Sequence, residues 1–172
     1  TIGVTLLAGV EPGVIAGVGV GLLLYLWTSS RPHAAIVGRV PDTQHFRNID
    51  RHKVITLPHI LSIRIDESLT YLNARWLEEY VLERVAEKPE LRHVILMCSA
   101  VNAIDASGLE SLEAIEHRLA DGGIRMHLSE VKGPVMDRLK RSQFLDHLSG
   151  EVFLSQDQAF SRLAHDDGSA PV

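Results

Sequence analysis

Apolar residues run almost without a break from Ile2 to Trp27, interrupted at Glu11-Pro12-Gly13. From Pro58 onward short apolar runs alternate with amphipathic stretches, and a polar, proline-punctuated segment from Arg31 to Pro58 joins the two regions. A helix that spans a bilayer needs about 20 apolar residues. Pro12 lacks a backbone donor and biases Glu11 away from the helical region. The opening therefore reads as a hydrophobic helical hairpin: one piece ends near Val10, and a second has Pro12 in its first turn and runs through Trp27. The second piece has about 15 residues, or roughly 22 Å at 1.5 Å per residue. That length suits a short helix packed in a bundle. Gly13, Gly17 and Gly21 recur every four residues and give a smooth stripe for close helix packing in lipid. Tyr25 and Trp27 mark an interface, and Arg31, Arg39, Arg47 and Arg51 after them predict that this end faces the cytosol. A secretory signal would begin with basic residues, which are missing here. A buried soluble helix would not favour glycine at this density.

The later alternation predicts an α/β domain with helices packed on a sheet. Strands are expected at Ala34–Val40, Ile60–Ile65, Val94–Ser99, Ile124–Leu128 and Val152–Leu154. Leu72, Trp76 and Tyr80, with Leu77, Val81 and Val85, form the apolar face of a first helix that Pro89 stops. Leu109, Leu112, Ile115 and Leu119 face inward from a second, which ends at Gly122-Gly123. Pro134 opens a third with Val135, Met136 and Leu139 inward, and Gln156–Ala164 is a fourth with Phe160 and Leu163. The resulting division is 1–28 membrane helices, 29–58 linker and first strand, 59–164 the α/β domain, and 165–172 a disordered tail. Within the linker, Phe46 and Arg47 are candidates to touch a membrane domain or a partner subunit, with simple solvation as the alternative.

Charge and composition narrow the function. The net charge is −5, and residues 1–30 contain one charged side chain, Glu11. A nucleic-acid binder would carry a basic stripe, so none is expected as a partner. The single cysteine, Cys98, excludes an intramolecular disulfide and reads as a small buried hydrophobe. The nine histidines show no metal-ligand spacing and read as scattered surface residues. Neither GxxxxGK[ST] nor GxGxxG occurs, so specific phosphate cradling is unsupported, and a nucleotide- or lipid-binding module stands only as a rival reading; no cofactor or metal is expected. No histidine or lysine is placed by sequence to activate a serine, so the chain reads as a non-enzyme.

One segment stands apart: Asn102-Ala103-Ile104-Asp105-Ala106-Ser107-Gly108-Leu109-Glu110, between an apolar strand and a helix N-terminus. Free backbone N–H groups there attract anionic groups. Ser107-Gly108-Leu109-Glu110 also matches the S-x-x-E capping box, so Ser107 could simply cap the helix, and Asp105 is the other candidate cap.

Ile104-Asp105-Ala106-Ser107-Gly108-Leu109 resembles the signature loop of STAS domains, which anti-anti-sigma factors share with the C-termini of SulP anion transporters. The resemblance implies a mixed central sheet of about five strands with about four helices. It also implies a loop, Asn102, Asp105, Ser107 and Gly108, that serves regulation. Ser107 occupies the position that a partner kinase phosphorylates in anti-anti-sigma factors, while Ala106 replaces a serine often found one place earlier. Glu11-Pro12-Gly13, Ser30-Arg31-Pro32-His33, Gly38-Arg39-Val40-Pro41, Phe46-Arg47-Asn48 and Leu69-Thr70-Tyr71-Leu72-Asn73-Ala74 are similar, in order, to the SulP junction and the entry to its STAS domain. A SulP protein would be a multi-pass inner-membrane secondary transporter of sulfate, bicarbonate or dicarboxylates. Its STAS domain would lie in the cytoplasm, and its partners would be the lipid bilayer, the rest of the membrane domain, a second copy in a homodimer and a cytosolic regulatory protein. The family's substrate site lies in earlier helices, so no substrate-binding residue is expected here. The rival reading is a membrane-tethered phospho-switch that binds a protein partner.

Overall fold

The computed structural model describes residues 2–3, 9–29 and 33–165. Arg31, most of the hairpin's first arm and nearly all of the tail expected at 165–172 lie outside the described residues. The chain divides into two compact units, 1–32 and 33–172.

In the first unit, Ile2 and Gly3 are helical, and α1 runs over Val10–Ser29 for 20 residues. Pro12 falls in its first turn, as the sequence reading has it, but the helix begins at Val10 and runs on through Glu11-Pro12-Gly13 without interruption. Gly9, just ahead of it, has a φ of 97° that favours glycine. Glu11 and Pro12 both fit inside the first turn. The N–H that Pro12 lacks would have no helical partner there, and the Glu11 carboxylate faces the positive helix end. The helix thereby reaches about 30 Å at 1.5 Å per residue, a full hydrocarbon thickness and not the shorter span predicted. Val10–Thr28 has a mean hydropathy of 1.6, and Val14, Ile15, Val18, Leu22, Leu23 and Leu24 are all more than half exposed. A helix apolar on every side and uncovered is long and apolar enough to cross a membrane. Gly13, Gly17 and Gly21 lie along one of its faces.

The second unit is built on a six-stranded sheet in the order β2-β1-β3-β4-β5-β6. The strands are β1 Ala34–Arg39, β2 Phe46–Asn48, β3 Ile60–Ile65, β4 His93–Met97, β5 Arg125–Ser129 and β6 Val152–Phe153. β1 runs antiparallel to both β2 and β3, and β3 to β6 are parallel to one another. The helices are α2 Ala74–Ala86, α3 Ala106–Asp121, α4 Gly133–Arg141, α5 Phe144–His147 and α6 Gln156–Leu163. The sheet is thus mixed, as expected, with one strand and one short helix more than the sequence pattern predicts.

β4 is central because both of its faces are apolar. Val94 and Leu96 enter the core that α2, α3 and α4 cover with Leu77, Val81, Leu112, Ile115 and Leu139. Ile95 enters a smaller core on the other face with Phe160 and Leu163 of α6. That second face is covered by one short helix and carries a buried polar link. Gln156 Nε2 donates to Ser62 Oγ at 2.9 Å, and Ser129 Oγ donates to Gln156 Oε1 at 2.6 Å. Buried polar groups satisfied in this way fix the register of a thin layer.

Two expectations are overturned. Phe46 belongs to the domain's own core: it is buried, and its ring meets Phe160 edge-on at 5.6 Å. Nor are all histidines on the surface, because His93 and His127 are buried, with Nδ1 of the first 3.1 Å from Nε2 of the second. His127 Nδ1 accepts from the Glu151 backbone N–H at 3.0 Å.

Asp66 closes the exit of β3. Arg64 Nε donates to its Oδ1 at 2.6 Å, Arg64 Nη2 reaches Oδ2 at 3.1 Å, and His33 Nδ1 lies 2.7 Å from Oδ2. Burial acts to raise the pKa of this carboxyl, but the hydrogen bonds from Arg64 and His33 outweigh it and hold the carboxyl below its usual range. A depressed carboxyl stabilises the fold above its unfolded pKa, about 4, and loses that contribution as pH falls through the folded value. Asp66→Asn should therefore lower the urea midpoint at pH 7, with the difference from wild type shrinking toward pH 2.5. A constant difference across that range would show that the charge is irrelevant.

Cys98 is buried, as the sequence suggests, and its thiol donates to the Leu96 carbonyl at 3.5 Å. Burial, helped by the nearby Glu130 charge, pushes the thiol up to about 12. Only the thiolate reacts with maleimides and disulfide reagents. Native protein at pH 7.5 should take up no label over an hour, and one equivalent in 6 M guanidinium. Rapid native labelling, read by intact mass, would contradict this burial.

Candidate functional site

The signature loop is assembled where the parallel strands end, the edge at which open α/β sheets place their binding loops. Leaving β3, the chain passes Ser68 and Leu69; leaving β4, it passes Val101 to Ile104. The two exits zip together: Leu69 N–H donates to Ala103 O at 3.1 Å, and Asp105 N–H to Leu69 O at 3.0 Å. Ser68 Oγ accepts from the backbone N–H groups of Asn102 and Ala103 at 3.3 and 3.1 Å.

Asp105 caps α3. Its backbone is extended, at φ −93° and ψ −174°, and its Oδ1 accepts from Gly108 N–H at 2.8 Å. Its Oδ2 accepts from Tyr71 N–H at 2.9 Å, so one carboxylate ties the helix start to the neighbouring loop. Of the two candidate caps, the structure selects Asp105. Ser107 lies one residue inside the helix, half-exposed, and makes no side-chain hydrogen bond among the described residues. Each oxygen of Asp105 thus accepts one backbone N–H.

Gly108 is required by close approach. A Cβ there would come within 2.6 Å of Leu69 O and 2.9 Å of Leu69 C, both backbone atoms. One turn on, Ser111 Oγ donates to Ala74 O at 2.6 Å and binds α3 to α2. Between these helices lies an open groove of about 590 Å³, on which Ser107 borders with Tyr71, Arg75, Glu110 and Arg118. Its arginines are already engaged, Arg75 with Glu79 and Arg118 with Glu78, each at 3.1 Å. Asn102 stands on the other side of the loop, where its Oδ1 accepts from Lys132 Nζ at 2.6 Å. Lys132 precedes α4, so Asn102 links the exits of β4 and β5.

The four loop residues therefore lie on one continuous stretch, in which the Asp105 carboxylate and the Asn102 Oδ1 are engaged and the Ser107 hydroxyl is not, among the described residues. Sequence reasoning missed Ser68, Tyr71 and Lys132. The available signal was positional, since each follows a parallel strand on the side where exits converge. Among the described residues no group of three or more His, Cys, Asp or Glu side chains is placed to hold a metal.

A mixed sheet with α3 capped at this loop defines a STAS domain, and the STAS family model matches residues 52–159; the chain belongs to that family. Curated relatives extend the likeness beyond the domain. Sulfate transporter 3.1 of Arabidopsis thaliana is 32% identical over 162 residues, covering 87% of this chain and 25% of its own length. Sulfate transporter 1.3 of the same plant is 31% identical over 161 residues, with 87% and 24% covered. The chain thus spans about a quarter of the length of these relatives, which are named as transporters and not as enzymes, in line with the sequence reading. The fold is shared with the murine Solute Carrier 26 family member A9 anion transporter, at a TM-score of 0.76 and 17% identity over 90% of this chain and 26% of that one.

If Asp105 is the cap, Asp105→Ala should cost about 1–2 kcal/mol and Ser107→Ala close to nothing. Gly108→Ala should cost about 1–3 kcal/mol through the clash with Leu69. Urea unfolding of the detergent-solubilised chain measures all three, and a Ser107→Ala cost equal to that of Asp105→Ala would restore the serine cap.

Proposed function

We propose that this chain is the C-terminal part of a SulP-type secondary anion transporter: a final membrane helix followed by a cytoplasmic STAS domain that assembles and regulates it. The observation that carries this reading is that similarity to the sulfate transporters covers 87% of the chain, more than the 52–159 stretch of the STAS match. A soluble switch would have no use for a 20-residue helix exposed on all its apolar faces. The protein would then be a multi-pass inner-membrane transporter of sulfate, bicarbonate or a dicarboxylate, with the bilayer, its own membrane domain and a second copy as partners. Its residues would divide as 1–28 membrane, 29–58 junction, 59–164 STAS domain and 165–172 tail. The Gly13, Gly17 and Gly21 stripe would pack against a neighbouring helix, and substrate coordination would belong to other helices.

Asn102, Asp105, Ser107 and Gly108 form the regulatory loop in this reading, with a cytosolic protein as its partner. Ser107 is its control point because its hydroxyl is not consumed by capping. A phosphate there would add about −1.5 to −2 charge at the positive end of α3. Asp105 and Glu110 would oppose it, and the arginines bordering the groove would attract it by exchanging their glutamate partners. The phospho-switch reading shares this serine but leaves α1 without a task beyond tethering.

Reconstituting the full-length protein in vesicles should give saturable uptake of labelled sulfate or a competing anion. Ser107→Asp should change the uptake rate at least twofold relative to Ser107→Ala. Absence of any anion flux would defeat the transporter assignment, and equal rates in wild type and both variants would remove Ser107 from its control.

A further inference from the structure

The edge of the sheet at β2 carries charge that the domain leaves uncompensated. Residues 45–53 read His-Phe-Arg-Asn-Ile-Asp-Arg-His-Lys, three permanent cations against one carboxylate, in a chain whose net charge is −5. His45, Arg47, Arg51, His52 and Lys53 are all exposed, as is the carboxylate, Asp50. Arg39, Arg64, Arg84, Arg118 and Arg162 each meet an acidic side chain. Arg47, Arg51 and Lys53 meet none among the described residues, and the Arg47 guanidinium donates to the carbonyl of Phe46 at 3.4 Å. Ile49, 37% exposed, stands between them.

The segment is firmly held. Phe46 is buried against Phe160, β2 pairs with β1 from Val37 to Arg39, and Asn48 Oδ1 accepts from Asp50 N–H at 2.8 Å. The cations are therefore displayed on a fixed turn, one side chain of which is apolar and half-open. In sequence only residues 30–32 separate the end of α1 from His33, which immediately precedes β1, the strand that β2 flanks.

We propose that the β2 edge, through Arg47, Arg51 and Lys53 with Ile49 among them, docks on the anionic lipid headgroups of the leaflet from which α1 emerges. Charge complementarity selects this occupant: juxtamembrane clusters of lysine and arginine are drawn to an anionic leaflet within a Debye length of it. An isoleucine among the cations adds apolar contact at the headgroup boundary. The inference rests on α1 being a membrane helix and adds a role for the domain's own surface.

The buried Cys98 leaves room for a site-specific probe. An environment-sensitive fluorophore on Ile49→Cys, in the full chain incorporated into nanodiscs, reports water access through acrylamide quenching. Discs of phosphatidylcholine with 30% phosphatidylglycerol should at least halve the quenching constant relative to phosphatidylcholine alone. Addition of 0.5 M NaCl, or the triple change Arg47→Gln, Arg51→Gln, Lys53→Gln, should restore it. A probe on Leu154→Cys, which is 92% exposed and directly follows β6 at the opposite edge of the sheet, should show no lipid dependence. Equal quenching in both lipids overturns the proposal. Equal protection in both lipids does so too, and assigns the edge to a protein contact. Failure of the chain to enter nanodiscs at all would instead refute the membrane assignment of α1.

Discussion

The carboxylate of Asp105 sits between two backbone amides from different segments of the chain. One oxygen takes the N–H of Gly108 at the start of α3, and the other takes that of Tyr71 ahead of α2. The Gly108 N–H lies in the first turn of α3, where helical donors lack an intrahelical partner, and the Tyr71 N–H precedes α2, so one side chain satisfies two backbone donors at once. Gly108 makes the arrangement possible by letting α3 come within contact of the Leu69 backbone, where a methyl group would not fit. The bridge between Leu69 and Ile104 and the two bonds to Ser68 Oγ follow from the same approach. Once these donors are paired, the Ser107 hydroxyl, one residue into the helix, is left without a side-chain hydrogen bond among the described residues.

That selectivity explains what could and could not be read in advance. The apolar run at Val94–Met97 announced a buried central strand because a strand covered on both faces has no polar alternation to hide it. Pro134 and the spacing of Val135 and Leu139 announced α4 in the same local way. Ser107-Gly108-Leu109-Glu110 satisfied a capping pattern just as locally, but Asp105 took the cap because its second oxygen also bonds Tyr71, 34 residues away. No window of neighbouring residues contains that bond. The same reason hid β2: three residues, Phe46–Asn48, gain a strand's geometry from pairing with β1 and from Phe46 meeting Phe160, 114 positions later in the chain. In a polar segment, Phe46 looked like a surface anchor. His93 and His127 looked like surface residues because histidine is amphipathic; in the fold they meet each other at 3.1 Å, and His127 also accepts from the Glu151 N–H.

The two faces of the sheet are stabilised by different means. On the face of α2 to α4, large aliphatic residues suffice, and Leu77, Val81 and Ile115 are fully enclosed. On the other, α6 is only eight residues long. It adds directional contacts: Gln156 bonded to Ser62 and Ser129, and Arg39 stacked 5.1 Å above Phe160 while reaching Ser161 at 3.1 Å. A short helix with modest apolar area has many nearly equivalent seats on a flat sheet, and polar pairs of this kind leave one.

The order of these contacts along the chain also limits where slack can exist. The α/β unit begins at His33, whose carbonyl accepts from Asp66 N–H at 3.1 Å and whose ring meets the Asp66 carboxylate. Two residues later Ser68 takes two amides of the signature loop, and Leu69 bonds that loop from both sides. Residues 66–69 are thus pinned at one end to the point where the first unit's chain arrives and at the other to the loop that bears Ser107. A segment of four residues held at both ends has little room to buckle. Within the α/β unit, the covalent and hydrogen-bonded route from His33 to the loop that bears Ser107 therefore runs through the end of β3.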